Sequence, residues 1–315
     1  MTNVPAPPRT AGAGRQRGLA LIIAMLVAAL AAAVAISVAT AQAQWSAQVT
    51  QRRDQVQAQS IALAGVQWAR QILDADAHST KVDHLGEPWA LPLPATPVEN
   101  GTVEGRIIDA QGLLNANNLA GGAQAGFERQ RFAALFEALR VPAATLAALV
   151  DWVDADNVEE QGGAEDAWYQ RAAQPGLAAS MPAMRIQELA ELRGIDATVL
   201  GSLLRYVTAL PVDTPLNVNT APVEVLAASM VNPEPGQLAA LIASRAQRPF
   251  TTLADLRERL PAGASLVGND AMYDVKSRYF LVTVRARQGD TIAQAHALVD
   301  RGGEAWPRIV WQTIE

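Results

Sequence analysis

The hydrophobic pattern begins with an unbroken apolar run, Leu19 to Ala41, that contains no charge. At roughly 1.5 Å per residue its 23 positions make a helix of ~34 Å, enough to cross a bilayer core. Beyond Ala41 the pattern stays helical but turns amphipathic. Val49, Val56 and Leu63 recur every seventh residue, and Trp45, Val66 and Leu73 fill a neighbouring row that Arg52 and Gln59 interrupt. No proline and a single glycine, Gly65, fall between Leu19 and Leu73. The pattern predicts one helix over 19–75, with 19–41 apolar and the remainder two-faced.

The periodicity then breaks. His78 to Asn100 is rich in Pro and Gly and reads as a surface loop; His78, Asp83, His84 and Glu87 within it are open to two readings, a metal site or a solvated loop. Thr102 to Ala110 alternates as a strand, with Val103 and Ile107 opposite Glu104 and Arg106. Comparable alternation returns only near the C-terminus. Phe280, Val282, Val284 and Ala286 interleave with Thr283, Arg285 and Arg287; Gln288-Gly-Asp290 turns the chain into Thr291–Asp300, and a last strand runs from Arg308 to Ile314.

Between these strands the period is helical. Phe132, Leu135, Phe136 and Leu139 share one face, and Pro142 opens a helix holding Leu146, Leu149, Val150 and Val153. Further helices are expected at Met184–Leu192 and Thr198–Thr208, after Thr220 acting as an N-cap, around Leu238, Leu241 and Ile242, and after a second cap at Thr252. The expected fold class is α+β: a long N-terminal helix packed on a small antiparallel sheet, with a large, mostly helical domain inserted between strands. The boundaries are 76–112 and 270–315 for the sheet domain and 113–269 for the insert.

Charge narrows the partners. The 315-residue chain carries a net charge of −6, which disfavours nucleic acid or an anionic lipid surface as a partner for the whole domain. It has no cysteine, which excludes disulfide staples and a thiol nucleophile. Arg9, Arg15 and Arg17 precede the apolar run with no acid among them, so the leader stays cytoplasmic and the body lies outside. Signal peptide, plain anchor and pilin-type precursor all fit such a run, although 23 residues is long for a signal peptide. Arg15-Gln-Arg-Gly18-Leu19 resembles the leader of type IV pilin-like precursors, which prepilin peptidase cuts after the glycine; residues 1–18 are then the leader.

Two constellations in the insert could carry chemistry. Asp151, Asp154, Asp156 and Asn157 are followed by Gly162-Gly-Ala-Glu165-Asp166, a concentration of carboxylates that repel unless a cation neutralises them. A hard cation with flexible oxygen coordination suits it, which points to calcium; the spacing is not that of an EF-hand, and the alternative is a solvated acidic loop. The second constellation, Leu216 to Leu253, resembles a helix-hairpin-helix module. Its hairpin, Asn232-Pro-Glu-Pro-Gly236, lacks two backbone donors and carries Glu234 where a phosphate would sit, so it reads as structural packing rather than a DNA site.

The whole chain resembles one family, the K-class minor pseudopilins of type II secretion, or general secretion pathway protein K. The matching pieces run in order: Arg17-Gly-Leu19, Ile108-Asp-Ala-Gln-Gly112 with Asn115-Ala-Asn-Asn-Leu119, Asp151-Trp-Val-Asp-Ala-Asp156, Gly163-Ala-Glu-Asp166, Asn217-Val-Asn-Thr-Ala-Pro222, and the final sheet. Ordinary pilins have Glu at the fifth mature position, where this chain has Ile23. A subunit with none before it needs no such carboxylate, and leaving one unpaired in the bilayer costs about 2.5–3.5 kcal/mol or more.

The resemblance implies a single-pass inner-membrane protein with its body in the periplasm and no enzymatic activity. It implies cleavage between Gly18 and Leu19, N-methylation of Leu19, and a place at the pseudopilus tip with the I- and J-class minor pseudopilins. Prepilin peptidase and the inner-membrane secretion platform are its other implied partners. It also implies calcium in the insert, with Asp151, Asp154, Asp156, Asn157, Glu165 and Asp166 as the candidate ligands. The rival reading is a membrane-anchored periplasmic DNA-binding or DNA-uptake protein that uses the hairpin.

Overall fold

The computed structural model describes residues 13–172, 175–303 and 306–315, with side chains from Gly18 onward. Arg9 therefore lies outside the described residues. The first helix, α1, spans Ala13–Ser79 and extends beyond the expected 19–75 at both ends. The chain divides into two compact units, residues 1–57 and 58–315. In the first, α1 is exposed at every described position from Gly18 to Arg53, and it is long and apolar enough to cross a membrane.

In the second unit α1 buries Ala58, Ala62, Val66, Ala69 and Leu73. Steps of three and four place these on one helical face. They pack against Phe280, Val282, Val284, Ala286, Ala293, Ala295 and Ala297. Of the two rows in the pattern, Val66 and Leu73 of the neighbouring row are buried, whereas Val49, Val56 and Leu63 of the heptad row are exposed. Alanines on both surfaces let helix and sheet approach closely, a fit the bulkier row cannot offer. Gly65 marks the tightest point, since a Cβ there would stand 2.6 Å from Cγ1 of Val284.

After α1 the segment read as a loop is partly regular. Pro88–Ala90 is a 3₁₀ turn and β1 (Leu93–Val98) is a strand, paired antiparallel with β2 (Gly101–Asp109). Pro94 and Pro97 hid this strand; an edge position tolerates them because one side of its backbone needs no partner. The reading of this segment as a solvated loop is also corrected, since two of its acids are buried. His78 Nδ1 contacts its own helix at Asp74 O and His84 Nδ1 accepts from Gly86 N, whereas Asp83 and Glu87 are buried.

The long section that follows opens with the two-residue strand β3 (Leu114–Asn115), then α2 (Ala125–Leu139), α3 (Ala143–Val153), α4 (Asp166–Tyr169) and α5 (Ala197–Leu203). Two expected helices are shorter than the pattern suggested. Met184–Leu192 is a 3₁₀ turn over Ile186–Glu191, and Thr198–Thr208 ends early because β4 (Val207–Thr208) pairs in parallel with β3.

Then come β5 (Leu216–Asn217), α6 (Val223–Ala228), α7 (Pro235–Gln247), α8 (Leu253–Glu258) and β6 (Tyr273–Asp274), the last parallel to β5. Thr252 caps α8 as expected, accepting from Asp255 N at 3.0 Å. Thr220 does not cap α6. Pro222 holds that position, and the buried Thr220 hydroxyl donates to Asp109 Oδ2 at 2.6 Å.

The chain closes with β7 (Tyr279–Gln288), β8 (Thr291–Asp300) and β9 (Arg308–Ile314). The five-stranded sheet runs β1-β2-β7-β8-β9, antiparallel throughout, so β2 and β7 are neighbours although the helical section separates them in sequence. The fold is α+β: a long N-terminal helix, an antiparallel sheet and a helical section with its own core around Phe132, Phe136, Leu149 and Leu226.

Asparagines fasten that section. Asn117 Nδ2 donates to Ala183 O and Leu210 O, and its Oδ1 accepts from Ala183 N. Asn219 exchanges both bonds with the backbone of Phe250. A side-chain amide copies a peptide group, so each one ties distant loops as a strand partner would.

Candidate metal centre

The acidic loop joins α3 to α4. Asp151, in the last turn of α3, is fully buried. Its carboxylate accepts from Glu160 N at 3.1 and 3.3 Å and from Ala164 N at 2.7 Å, so it folds the loop back onto the helix. Gly163 fits because it has no Cβ; one added there would lie 2.0 Å from Asp151 Oδ2. The carbonyl of Gly163 accepts from Arg193 Nη1 at 2.6 Å. Trp152 and Tyr169 stack edge to face beneath at 5.3 Å.

This framing brings Asp154, Asp156 and Glu165 together, with one oxygen from each inside a mutual distance of 4.8 Å. Asp154 Oδ1 and both Glu165 oxygens are buried without a hydrogen-bond partner. Burial and the neighbouring acids push the Asp154 carboxyl up to about 6 and that of Glu165 up to about 7; Asp151 is also raised, chiefly by burial. Three converging carboxylates, two of them with buried oxygens that have no partner, fit a hard divalent cation. Asp154, Asp156 and Glu165 would hold it, and its charge would cancel their repulsion.

The remaining sequence candidates stand elsewhere. Asp151 spends its oxygens on the loop backbone. Asp166 opens α4, and its Oδ1 accepts from Ala178 N at 2.9 Å. Asn157 is exposed. Replacing Gly163 with alanine is expected to spread the loop and lower the melting temperature by several degrees. Unchanged melting of that variant would mean the Asp151 contact is dispensable.

A second acidic cluster adds Asp76, which the sequence did not single out, to Asp83 and Glu87, for which it left a metal site open. Asp76, Asp83 and Glu87 are buried together, but a cation of the chain already serves them. Arg301 donates to Asp76 Oδ2 at 2.7 Å, Asp83 Oδ1 at 2.5 Å and Ser277 O at 2.9 Å, and lies 4.4 Å above the Phe280 ring. Glu87 accepts from Trp89 Nε1, Thr80 Oγ1 and His84 N. Next to it, Asp109 Oδ2 accepts from Asn217, Thr220 and Ser277. Partners more than 200 residues away leave no periodic trace; the one local sign was an arginine ahead of a Gly-Gly turn.

The helix-hairpin-helix segment keeps its cations for itself. Arg245 Nη1 donates to Val218 O and Ala221 O, and Arg259 Nη2 to Ser244 O and Arg248 O. Pro235 starts α7 directly behind Glu234, so the helix N-terminus is capped by an acid rather than open to a phosphate.

Comparison with known proteins agrees with this architecture. Residues 112–212 and 216–276 match the two family models described as type II secretion system (T2SS), protein K. The type II secretion system protein K of Pseudomonas aeruginosa is 34% identical over 267 residues, covering 81% of this chain and 79% of its own. That of Pectobacterium carotovorum is 30% identical over 312 residues, covering 92% and 94%. Among solved structures, a chain of the GspK-GspI-GspJ complex from enterotoxigenic Escherichia coli shares the fold with a TM-score of 0.72 at 24% identity, over 85% of this chain and 99% of that one. None of these matches supports the DNA-binding alternative. The chain belongs to the type II secretion system protein K family, the K-class minor pseudopilins, a structural component of that secretion system.

Proposed function

We propose that this chain is the tip subunit of the periplasmic pseudopilus, anchored in the inner membrane before assembly. The observation that carries the reading is the first unit of α1. Leu19, Leu21, Ile22, Ile23, Met25 and Leu26 are each more than half exposed, on a helix that carries no charge from Leu19 to Ala41. Such a surface needs lipid or other helices around it. In a pseudopilin it has both in turn, first the bilayer and then the fibre core.

Ile23 supports the tip, because a subunit with none before it has no amino terminus to pair. The bulk inserted between β2 and β7 supports it too, since a further subunit above would meet it. The companions are the I- and J-class pseudopilins, by analogy with the GspK-GspI-GspJ complex to which the fold is similar. Calcium held by Asp154, Asp156 and Glu165 would brace the helical section, its charge offsetting the three carboxylates.

The test is the mass and N-terminal sequence after co-expression with prepilin peptidase. A chain starting at methylated Leu19 is expected, and Gly18→Phe is expected to leave Met1 in place. Normal maturation of that variant, or a start near Gln42, overturns the reading.

A further inference from the structure

The face of the sheet turned away from α1 carries a groove of about 310 Å³. Its floor is laid by residues that alternate with those facing α1: Ile108 on β2, Leu281 and Thr283 on β7, His296 on β8, Trp311 and Thr313 on β9. Arg185, Ile186 and Leu204 close it from the helical side.

The polar chemistry of this groove is one-sided. Trp311 Nε1 is buried with no acceptor. Gln294 Nε2 lies 3.0 Å from His296 Nε2; with that amide donating, His296 Nδ1–H donates to Thr283 Oγ1 at 3.3 Å. The Thr283 hydroxyl then keeps its own proton for an acceptor in the groove. Arg106 and Arg185 are exposed on its lining, and neither is in an ion pair among the described residues. Glu188, close to Arg185 in sequence, is spent on the backbone N–H groups of Met184 and Arg185. Glu315 is the one acidic residue on the lining.

Length helps to define the occupant. From β2 to β9 the groove crosses three strand spacings, ~14 Å, room for about four residues of extended chain. The floor and walls mix the apolar Ile108, Leu281, Ile186 and Leu204 with the donors, which suits a peptide better than a free anion. We propose that the groove binds an extended acidic peptide segment of a partner protein. A side-chain carboxylate is taken by Arg106 and Arg185, and the extended backbone lies over the floor that Trp311 helps to form.

The full chain in detergent micelles, with ¹⁵N-labelled indoles and the Trp311 resonance assigned through Trp311→Phe, provides the test. The probes are an acetylated, amidated Leu-Glu-Leu-Glu peptide, its Leu-Lys-Leu-Lys counterpart and inorganic phosphate. The acidic peptide is expected to shift the Trp311 resonance saturably, and Arg185→Glu to weaken the response at least tenfold while leaving the melting temperature unchanged. Arg106→Glu serves as a second exposed variant and is expected to act likewise. Four results each overturn the proposal: no shift with the acidic peptide, an equal shift with the lysine peptide, an equal shift with phosphate alone, or full binding by both charge-reversed variants.

Discussion

Replacing Arg301 with methionine is expected to cost about 3–5 kcal/mol at pH 7, because Asp76 and Asp83 then stay buried without a cation. For a chain of this size that is a fall in melting temperature on the order of 10 °C. Arg301 is almost wholly buried and holds the end of α1, the segment after it and the start of the C-terminal hairpin at one point. Methionine fills part of the volume but returns none of these bonds.

The pH dependence has a definite sign. Asp76 is already raised to about 6, by burial first and Glu87 second, and Asp83 is raised as well, chiefly by burial. A carboxyl raised in the folded state stabilises fully below its unfolded value near 3.8 and loses that contribution as pH climbs through about 6. Without Arg301 both groups rise further. The deficit of the variant is therefore largest at pH 7 and shrinks towards pH 4. Melting curves across that range check it; a deficit independent of pH would assign the loss to packing alone.

Calcium is expected to raise the melting temperature of the full chain, and a chelator to lower it. At a hundredfold excess over the dissociation constant the gain is about 2.7 kcal/mol. Glu165→Gln separates this from ordinary loss of a contact. In chelator the variant should melt no lower than the parent, since its change removes a buried carboxylate that has no partner of its own. In calcium it should lose most of the increment. Asp156→Ala should lose part of it, because Asp156 is exposed and one of its oxygens already accepts from Val158 N. A parent chain indifferent to calcium, or a Glu165→Gln chain that responds in full, would remove the metal from the proposal.

How much was legible before folding follows from the range over which each signal acts. The apolar run of α1, the alternation of β7 and β8 around Gly289 and the cap at Thr252 are set within a few residues, and all three stand in the structure. The acidic loop was visible as a concentration of charge. Which of its six candidates converge was not, because Asp151 and Asp166 are as acidic as Asp154 and differ only in the backbone they face.

Where two distant surfaces had to meet, local pattern misled or was silent. The row Val49, Val56 and Leu63 has the better heptad, yet the row of Ala58, Ala62, Val66, Ala69 and Leu73 is the one that packs on the sheet. Thr220 has the residue type of a cap and instead serves Asp109, a partner 111 positions away. Sequence by itself determined the long helix, the C-terminal hairpin and the acidic loop, since neighbours along the chain settle each of them. Tertiary structure alone decided which helical face is buried, which carboxylates converge in the acidic loop and which share Arg301, because burial and charge pairing depend on what comes to lie opposite.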